Sequence, residues 1–378
     1  MSALATAATW ADWKGRPRDQ QYTVGIEEEA MLLDPDGWAL AHHSDRVVDA
    51  LPPDLADHAT LETHRSALEM ASGVHADVGS AIEEMVTLRG ALDTAARSLG
   101  LRAASSGTHP SAVWQDTVVS SSERYDFVYG SMRELARREP TFALHVHVGL
   151  SSPNDAVRLV NRMRAHLPLL LALSVNSPFW QGRDTGLASA RTPLFQAFPR
   201  VGIPRRFRDY ADYVGTVDLL MRCESMPDPS FLWWDVRPQP RFGTVEVRIM
   251  DAQSTVEETA SLVALVQCIA RLEVESGYVS TRALEVPEVL DENRFLAARD
   301  GMSAELIDLE RERRVPAREL VATLVQACAP HARALGCTKE LESVLGLAER
   351  TGSERQLALA RGPEKLRGLV EALAEVYA

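Results

Sequence analysis

Three segments of the sequence each place two ionisable side chains two residues apart. The pairs are Glu27 and Glu29 in VGIEEEA, His145 and His147 in LHVHVGL, and Glu246 and Arg248 in TVEVRIM. Side chains at i and i+2 of a β-strand point to the same face of the sheet. Each segment therefore predicts a strand with one chemically active face, and the apolar residues that alternate with the last two pairs predict a buried opposite face.

The composition of these pairs favours a divalent metal ion. Arg248 is the only permanent cation among the six side chains. Carboxylates crowded on one face repel each other unless a cation lies between them. Oxygen-rich ligands with an occasional imidazole suit Mg²⁺ or Mn²⁺ better than Zn²⁺. The alternative is that each pair is the solvated polar face of an ordinary half-exposed strand.

The familiar nucleotide and hydrolase motifs are absent from the sequence. It contains no GxxxxGK[ST], no GxGxxG after a predicted strand, no HExxH and no GxSxG. A P-loop, which cradles phosphates with backbone amides, is therefore excluded. If the protein uses ATP, metal ions and arginines must hold the phosphates.

The overall composition narrows the range of partners that the protein is expected to bind. The 378 residues are 46% hydrophobic, which is ample for a buried core, and the net charge is −13. A surface this acidic repels phosphate backbones, so nucleic acid and anionic membranes are poor partners. The four cysteines form no CxxC pair and predict neither a disulfide framework nor a zinc knuckle. We find no signal peptide and no membrane span, so the expected location is the cytoplasm.

The hydrophobic pattern predicts an α+β fold around the three pairs. Predicted strands cover 22–33, 38–40, 101–108, 141–150, 230–236 and 243–250, and predicted helices cover 76–99, 121–138, 155–173 and 206–222. Five further helices are predicted at 255–276, 281–298, 316–328, 338–350 and 354–377. Residues 174–204 carry little periodicity but many Ser, Pro, Gly and Arg, which indicates a long functional loop and a candidate lid.

The predicted domain organisation is simple. Residues 1–20 are expected to form a flexible N-terminal tail. Residues 21–378 are expected to form one catalytic domain, whose C-terminal region is helical from about residue 255.

Several longer motifs carry a family resemblance. They are TVGIEEEAMLLDP, ASSGTHPSAVW, HVHVGL, NSPFWQGRDTGLASARTPL, WWDVRPQPRFGTVEVRIMDAQ and the LGC at 335–337. In this order they resemble the carboxylate–amine ligase family, also called glutamate–cysteine ligase type 2, from about Tyr22 to the C-terminus. That family belongs to the glutamine synthetase and γ-glutamylcysteine synthetase superfamily. The resemblance implies a curved antiparallel sheet that forms the active site and is flanked by helices.

The resemblance also implies a set of metal ligands. One metal ion would be held by Glu29, Glu62 and Glu69, and a second by Glu27, His145 and Glu246. Glu62 and Glu69 lie in TLETHRSALEMASG, and only the resemblance points to them, because seven residues is a common separation of surface charges. One departure is the Phe142–Ala143 pair before the histidine strand, where the family pattern has a Cys-Gly-type pair. The pocket beside that strand is therefore expected to differ in shape.

Arginines are the expected ligands of the anionic groups. By resemblance, Arg248 contacts an ATP phosphate and Arg191, in SARTPL, pairs with the substrate carboxylate. A planar guanidinium suits bidentate recognition of both groups. Arg183 and Arg237 are further candidates for the same pocket. His147 is a candidate nucleotide ligand, with a structural strand histidine as the alternative.

The function that the resemblance implies is ATP-dependent amide formation. ATP and two or more Mg²⁺ or Mn²⁺ ions would activate a carboxylate of the γ-glutamyl type as an acyl phosphate, and cysteine or another amine would attack it. The partners would be these small molecules and further copies of the chain in a homodimer or larger homo-oligomer. Two alternatives stay open: a guanidino phosphotransferase of related fold, and a non-catalytic ligand-binding paralogue.

Overall fold

The computed structural model describes residues 9–138, 140–360 and 365–378. The strands are β1 Val24–Asp34, β2 Ala39–Leu40, β3 Ala59–Leu61, β4 Ala67–Ala71, β5 Arg102–Ala104, β6 Ala143–Gly149, β7 Phe179–Trp180, β8 Arg183–Asp184, β9 Val201–Gly202, β10 Trp233–Trp234, β11 Val236–Gln239, β12 Thr244–Asp251, β13 Glu305–Asp308 and β14 Arg313–Pro316. The helices are α1 Ser44–Asp49, α2 Pro53–Ala56, α3 Val78–Ser98, α4 Glu123–Met132, α5 Pro153–Met163, α6 Leu167–Ser174, α7 Arg191–Phe195, α8 Tyr210–Arg222, α9 Val256–Glu275, α10 Pro287–Asp300, α11 Ala317–Leu335, α12 Thr338–Glu349, α13 Gly352–Leu359 and α14 Lys365–Glu375.

One large antiparallel sheet organises the molecule. Its strand order is β11-β12-β6-β1-β4-β3, with β2 and β5 pairing with the second half of β1. The three strands that carry the ionisable pairs are therefore direct neighbours, and the strand with Glu69 lies next to them. This sheet with its flanking helices confirms the predicted α+β fold class.

The apolar face of this sheet packs against helices. The alternating apolar side chains of β6 and β12 are buried in one core cluster together with residues of α3, α5 and α9; these strand residues are Leu144, Val146, Val148, Val245, Val247 and Ile249. Burying this face fixes the register of each strand, since a slip of one residue would exchange the two faces. The polar pairs are thereby held on the opposite face.

Glu28 is a charged residue on the helix-facing side of β1. It is 2% exposed and pairs with Arg89 of α3, whose Nε and Nη2 lie 2.7 and 2.8 Å from the two carboxylate oxygens. Thr259 of α9 also donates to Glu28, and Arg89 donates to the carbonyls of Gln253 and Ser254. The protein therefore satisfies both buried charges by itself.

Several predicted elements differ from the structure. The predicted helix 155–173 is divided into α5 and α6, because Pro168 lacks an N–H and fits only the first turn of a new helix. The predicted helix 354–377 corresponds to α13 and α14, and residues 361–364 between them lie outside the described residues. No element was predicted for the hairpin of β3 and β4, and the hairpin of β13 and β14 interrupts a region that was predicted to be helical.

The described part of the N-terminal segment contacts the rest of the fold. Trp13 Nε1 donates to the carbonyl of Leu150, and the backbone amide of Lys14 donates to the carbonyl of Pro240. Residues 1–8 of the predicted tail lie outside the described residues. In the part of the chain that the structure covers, no helix combines the length and the apolar character that crossing a bilayer requires.

Candidate active site

A cavity of about 510 Å³ lies over the polar face of the sheet. Its volume is within the usual range for small-molecule sites. Eight of the predicted site residues line it: Glu27, Glu29, Glu62, Glu69, His145, Arg191, Arg237 and Arg248. His147 and Glu246 are buried beside it on β6 and β12. Arg183 is the exception, because it lies in the exposed strand β8 and is not among the lining residues that the structure describes.

Glu27, His145 and Glu246 form one group that could hold a metal ion. Each offers a ligand atom, and these atoms lie within 4.8 Å of one another. The sheet register explains this arrangement, since Glu27 faces His145 across β1 and β6, and Glu246 lies on the next strand opposite His147. His145 Nδ1 is 3.1 Å from Glu27 Oε2. These three residues are the second predicted ligand set, and the structure brings their ligand atoms together.

Glu29, Glu69 and His145 form a second group with the same spacing. Glu29 and Glu69 are register partners on β1 and β4. The backbone amide of Ala143 donates to Glu29 Oε2 at 2.7 Å, so the residue at the departure from the family pattern contacts this group through its main chain. The resemblance named Glu62 as the third ligand of this set. Glu62 follows β3 and lines the same cavity, but the third member of the group is His145 among the described residues.

The carboxylates of this second group lack an adequate protein counter-charge. Among the described residues, His145 is the one basic group with a nitrogen within 4.0 Å of Glu29 or Glu69. Burial, followed by the charge of Glu62, raises the pKa of Glu29 to about 8. Burial, followed by the charge of Glu27, raises the pKa of Glu69 well above its ordinary value. A bound divalent cation would reverse both effects.

Glu27 is held in its ionised form by two histidines. Burial opposes ionisation, but the charge of His147 and hydrogen bonds with His145 and His147 outweigh it and lower the pKa of Glu27. His147 Nε2 lies 3.1 Å from Glu27 Oε1, and its Nδ1 lies 2.9 Å from the hydroxyl of Thr244. Burial and the nearby Arg248 lower the pKa of His145 to about 4. His145 is therefore neutral at pH 7, which is the form that binds metal ions.

Glu246 is surrounded by donors. Arg237 Nε and Gln239 Nε2 each lie 2.7 Å from its Oε2, and Arg248 Nη1 contacts its Oε1. Burial opposes ionisation, but the charges of Arg237 and Arg248 dominate and lower the pKa of Glu246 well below its ordinary value. The two arginines therefore act here as the counter-charge of a prospective metal ligand.

Arg191, the first residue of α7, lines the cavity. It is 5% exposed, and its Nη1 donates to the carbonyl of Ile249 at 3.1 Å. Its Nη2 lies 3.3 Å from the carbonyl of Arg248, so the two predicted anion-binding arginines are adjacent. Phe195 and Trp233 line the wall beside them. This end of the cavity can receive a carboxylate or a phosphate.

Some cavity residues were missed by the sequence analysis. Gln239 continues the i, i+2 series that begins at Arg237 on β11, so the rule applied to the three strands would have found it, whereas Arg241 lies in the turn after β11. Arg124 and Tyr125 reach the cavity from α4. No local pattern distinguishes those two from other polar residues of an amphipathic helix.

Comparison with known proteins shows to which family the chain belongs. Residues 23–375 match the model of glutamate–cysteine ligase family 2. A protein of Rubrobacter xylanophilus, provisionally named glutamate–cysteine ligase 2-1, is 40% identical over 339 residues, which cover 89% of each chain. A protein of Sorangium cellulosum, provisionally named glutamate–cysteine ligase 2, is 37% identical over 94% of this chain and 96% of its own length.

A solved structure shares the fold. The crystal structure of glutamate–cysteine ligase from Francisella tularensis in complex with AMP superposes with a TM-score of 0.71 at 14% sequence identity, covering 97% of this chain and 90% of that one. At this identity the similarity establishes the fold alone. Taken with the family match over nearly the whole sequence, it confirms the resemblance that the motifs indicated: the chain belongs to glutamate–cysteine ligase family 2.

Proposed function

We propose that this protein is an ATP-dependent ligase that uses Mg²⁺ or Mn²⁺ to join the γ-carboxyl group of a glutamate-type substrate to cysteine or another amine. The observation that carries the proposal is the convergence of carboxylates, one neutral histidine and buried arginines on a single cavity. Family membership supports the class of reaction. The identity of the amine is left to experiment.

The residues present fit divalent metal ions. Glu27, His145 and Glu246 would hold one ion, and Glu29 and Glu69 would hold another with Glu62 nearby. The raised pKa of Glu29 and Glu69 is the expected signature of metal ligands without their cation. When bound, the ions would neutralise phosphate oxygens during phosphoryl transfer.

The arginines would bind and orient the two anionic substrates. Arg248 now pairs with Glu246, and a cation held by Glu246 would free that guanidinium for an ATP phosphate. Arg237 keeps Glu246 in place from the other side. Arg191, adjacent to Arg248, would bind the carboxylate substrate, so the two reactants would lie side by side.

The reaction needs no covalent help from the protein. A carboxylate oxygen of the donor attacks the γ-phosphorus of ATP, the bond from that phosphorus to the ADP oxygen breaks, and an acyl phosphate and ADP result. The amine nitrogen then attacks the acyl carbon, inorganic phosphate leaves, and the nitrogen loses a proton to give the amide. Excluding water from the cavity would protect the acyl phosphate from hydrolysis.

ADP release measured with L-glutamate, a panel of amines and Mg²⁺ tests the proposal. We expect release only when both substrates are present, with an amide as the product. Glu27→Gln and Glu246→Gln should each reduce turnover by at least about a thousandfold, because each removes a ligand and a charge from the site. Glu83→Gln on the exposed face of α3 is the matched control and should keep wild-type turnover.

Other outcomes would identify the alternatives. Detection of a stable phosphorylated guanidino product would identify the protein as a phosphotransferase instead of a ligase. Binding of nucleotide and metal without ADP release from any substrate mixture would indicate a binding protein. Wild-type turnover in either glutamate variant would contradict the metal-site assignment.

We further propose that the protein works as one catalytic domain in the cytoplasm and assembles as a homodimer or larger homo-oligomer. Light scattering coupled to size-exclusion chromatography tests the assembly. A mass equal to one chain at micromolar concentration would contradict it.

A further inference from the structure

A buried carboxylate lies at the root of the segment that carries Arg191. Asp251, the last residue of β12, is 0% exposed. Its Oδ2 accepts hydrogen bonds from the backbone amide of Asn176 at 2.8 Å and from the hydroxyl of Ser177 at 2.7 Å. Its Oδ1 accepts a hydrogen bond from the hydroxyl of Ser189 at 2.9 Å. One side chain therefore joins both arms of segment 176–192.

The carboxylate of Asp251 also helps to hold the backbone amide and the guanidinium of Arg191. The Ser177 hydroxyl oxygen, which bonds Asp251, accepts a hydrogen bond from the backbone amide of Arg191 at 3.2 Å. The Ser189 hydroxyl oxygen does the same for the amide of Thr192 at 3.3 Å. Arg191 Nη1 lies 3.9 Å from Asp251 Oδ1. The start of α7 thus depends on Asp251 through two hydroxyl groups, and Asp251 holds the guanidinium together with the carbonyls of Arg248 and Ile249.

The surroundings leave this carboxylate little freedom. A Cβ atom at Gly107 would lie 2.6 Å from Cγ of Asp251 and 2.9 Å from Cβ of Ser177, so the SSGTHP motif keeps a glycine where the two segments meet. Gln356 of α13 supports Asn176 through a 2.8 Å hydrogen bond to its side-chain oxygen. The amide of Ser189 donates to the carbonyl of Ala298 in α10. Segment 176–192, which is the first half of the predicted candidate lid at 174–204, is therefore anchored at both of its ends.

We propose that Asp251 is a positioning residue of the ligase site: it clamps the two arms of segment 176–192 and so aims Arg191 at the carboxylate substrate. This inference rests on the proposed function only for the identity of the ligand of Arg191. Asp251 itself lines no part of the cavity described above. A guanidinium on a loop needs such a buried anchor, because an error of about 1 Å in its position is enough to weaken binding and catalysis.

Hydrogen exchange of Asp251→Asn tests the clamp directly. The amide side chain loses the charge and one acceptor, so at least one of the three donors becomes unpaired. We expect the backbone amides of Asn176, Arg191 and Thr192 to exchange at least about tenfold faster. Asp184→Asn is the matched control, because Asp184 caps the exposed tip of the same segment through the amide of Gly186 alone. Its effect should stay at the tip.

Kinetics of the same two variants test the positioning role. Asp251→Asn should raise KM for L-glutamate by about ten- to a hundredfold while KM for ATP changes less than about twofold. A loss of global structure would change both constants. Asp184→Asn should change neither. If Asp251→Asn does not fold, the Ser177→Ala/Ser189→Ala double variant removes two of the donors, and the same selective rise in KM is expected.

The outcomes separate this inference from the proposed function. Unchanged exchange at Asn176 and Arg191 in Asp251→Asn overturns the clamp, whatever the activity. Faster exchange with an unchanged KM for L-glutamate overturns the positioning role. Wild-type protein that releases no ADP with any acid and amine refutes the proposed function, and faster exchange in Asp251→Asn would then still support the clamp.

Discussion

Neighbouring glutamates on the two faces of β1 lie in opposite electrostatic environments. On the helix-facing side, Glu28 meets the guanidinium of Arg89 in a two-point ion pair, and every donor around it comes from the protein. On the cavity side, Glu29 and Glu69 face each other across the register, and among the described residues His145 is the one basic group with a nitrogen within 4.0 Å of them. The first arrangement is complete without a ligand. The second would become favourable if a divalent cation bound there, as the proposed metal site requires, and this is the physical difference expected between a structural and a functional carboxylate.

The strongest test of this contrast is Arg89→Met. The substitution preserves bulk but leaves the Glu28 carboxylate buried without its counter-charge. We expect a loss of about 3–5 kcal/mol in the free energy of unfolding, measured by urea denaturation of the metal-free protein. Arg97→Met on the same helix is the control, since Arg97 forms an exposed i, i+4 pair with Asp93 and should contribute less than about 1 kcal/mol. Equal effects of the two substitutions would contradict the contrast.

On the cavity side, Glu29→Gln should change the free energy of unfolding in the opposite direction. In metal-free protein, burial and the charge of Glu62 raise the pKa of Glu29 to about 8, so folding at neutral pH must protonate this carboxyl at a free-energy cost that the neutral Gln side chain avoids. We therefore expect the free energy of unfolding to stay constant or to rise by up to about 1 kcal/mol. In the ADP-release assay the same variant should be severely impaired. A clear loss of stability without metal would show that Glu29 has a structural role instead.

The smallest effect is expected at Arg183. This side chain lies in the exposed strand β8, outside the cavity lining that the structure describes. We expect Arg183→Ala to keep turnover and both KM values within about twofold of wild type, because surface substitutions away from a site rarely matter. Arg237→Ala, which releases one side of Glu246, should by comparison be strongly impaired. A large effect at Arg183 would require segment 176–192 to fold over the cavity during turnover.

How far the sequence could predict this site depended on whether each signal was local. The pairs at 27/29, 145/147 and 246/248 follow from strand alternation within a few residues, and the structure brings all three together. Glu69 could be found only by resemblance, because its strand is short and its pairing with β1 is non-local. Resemblance also pointed to Arg191, whereas the anchor that aims it, Asp251, depends on residues 62 to 75 positions away in the sequence.

Other features were not predicted from the sequence, and each omission has a specific physical reason. Glu28 sits in a run of three glutamates, where alternation predicts an apolar residue on the buried face, and its partner Arg89 is 61 residues away. Pro168 marks the break between α5 and α6, but the surrounding apolar run concealed it. The fold class was therefore predictable from pattern and resemblance, while buried ion pairs and loop anchors required coordinates.

Calorimetric titration of the metal-free protein with Mn²⁺, in the presence of a non-hydrolysable ATP analogue, tests the central claim most directly. Wild-type protein should bind at least two ions per chain. Glu69→Gln and Glu246→Gln should each lose one binding event, while the control Glu83→Gln should match wild type. Absence of Mn²⁺ and Mg²⁺ binding to the wild-type protein, with or without the nucleotide, would contradict the account.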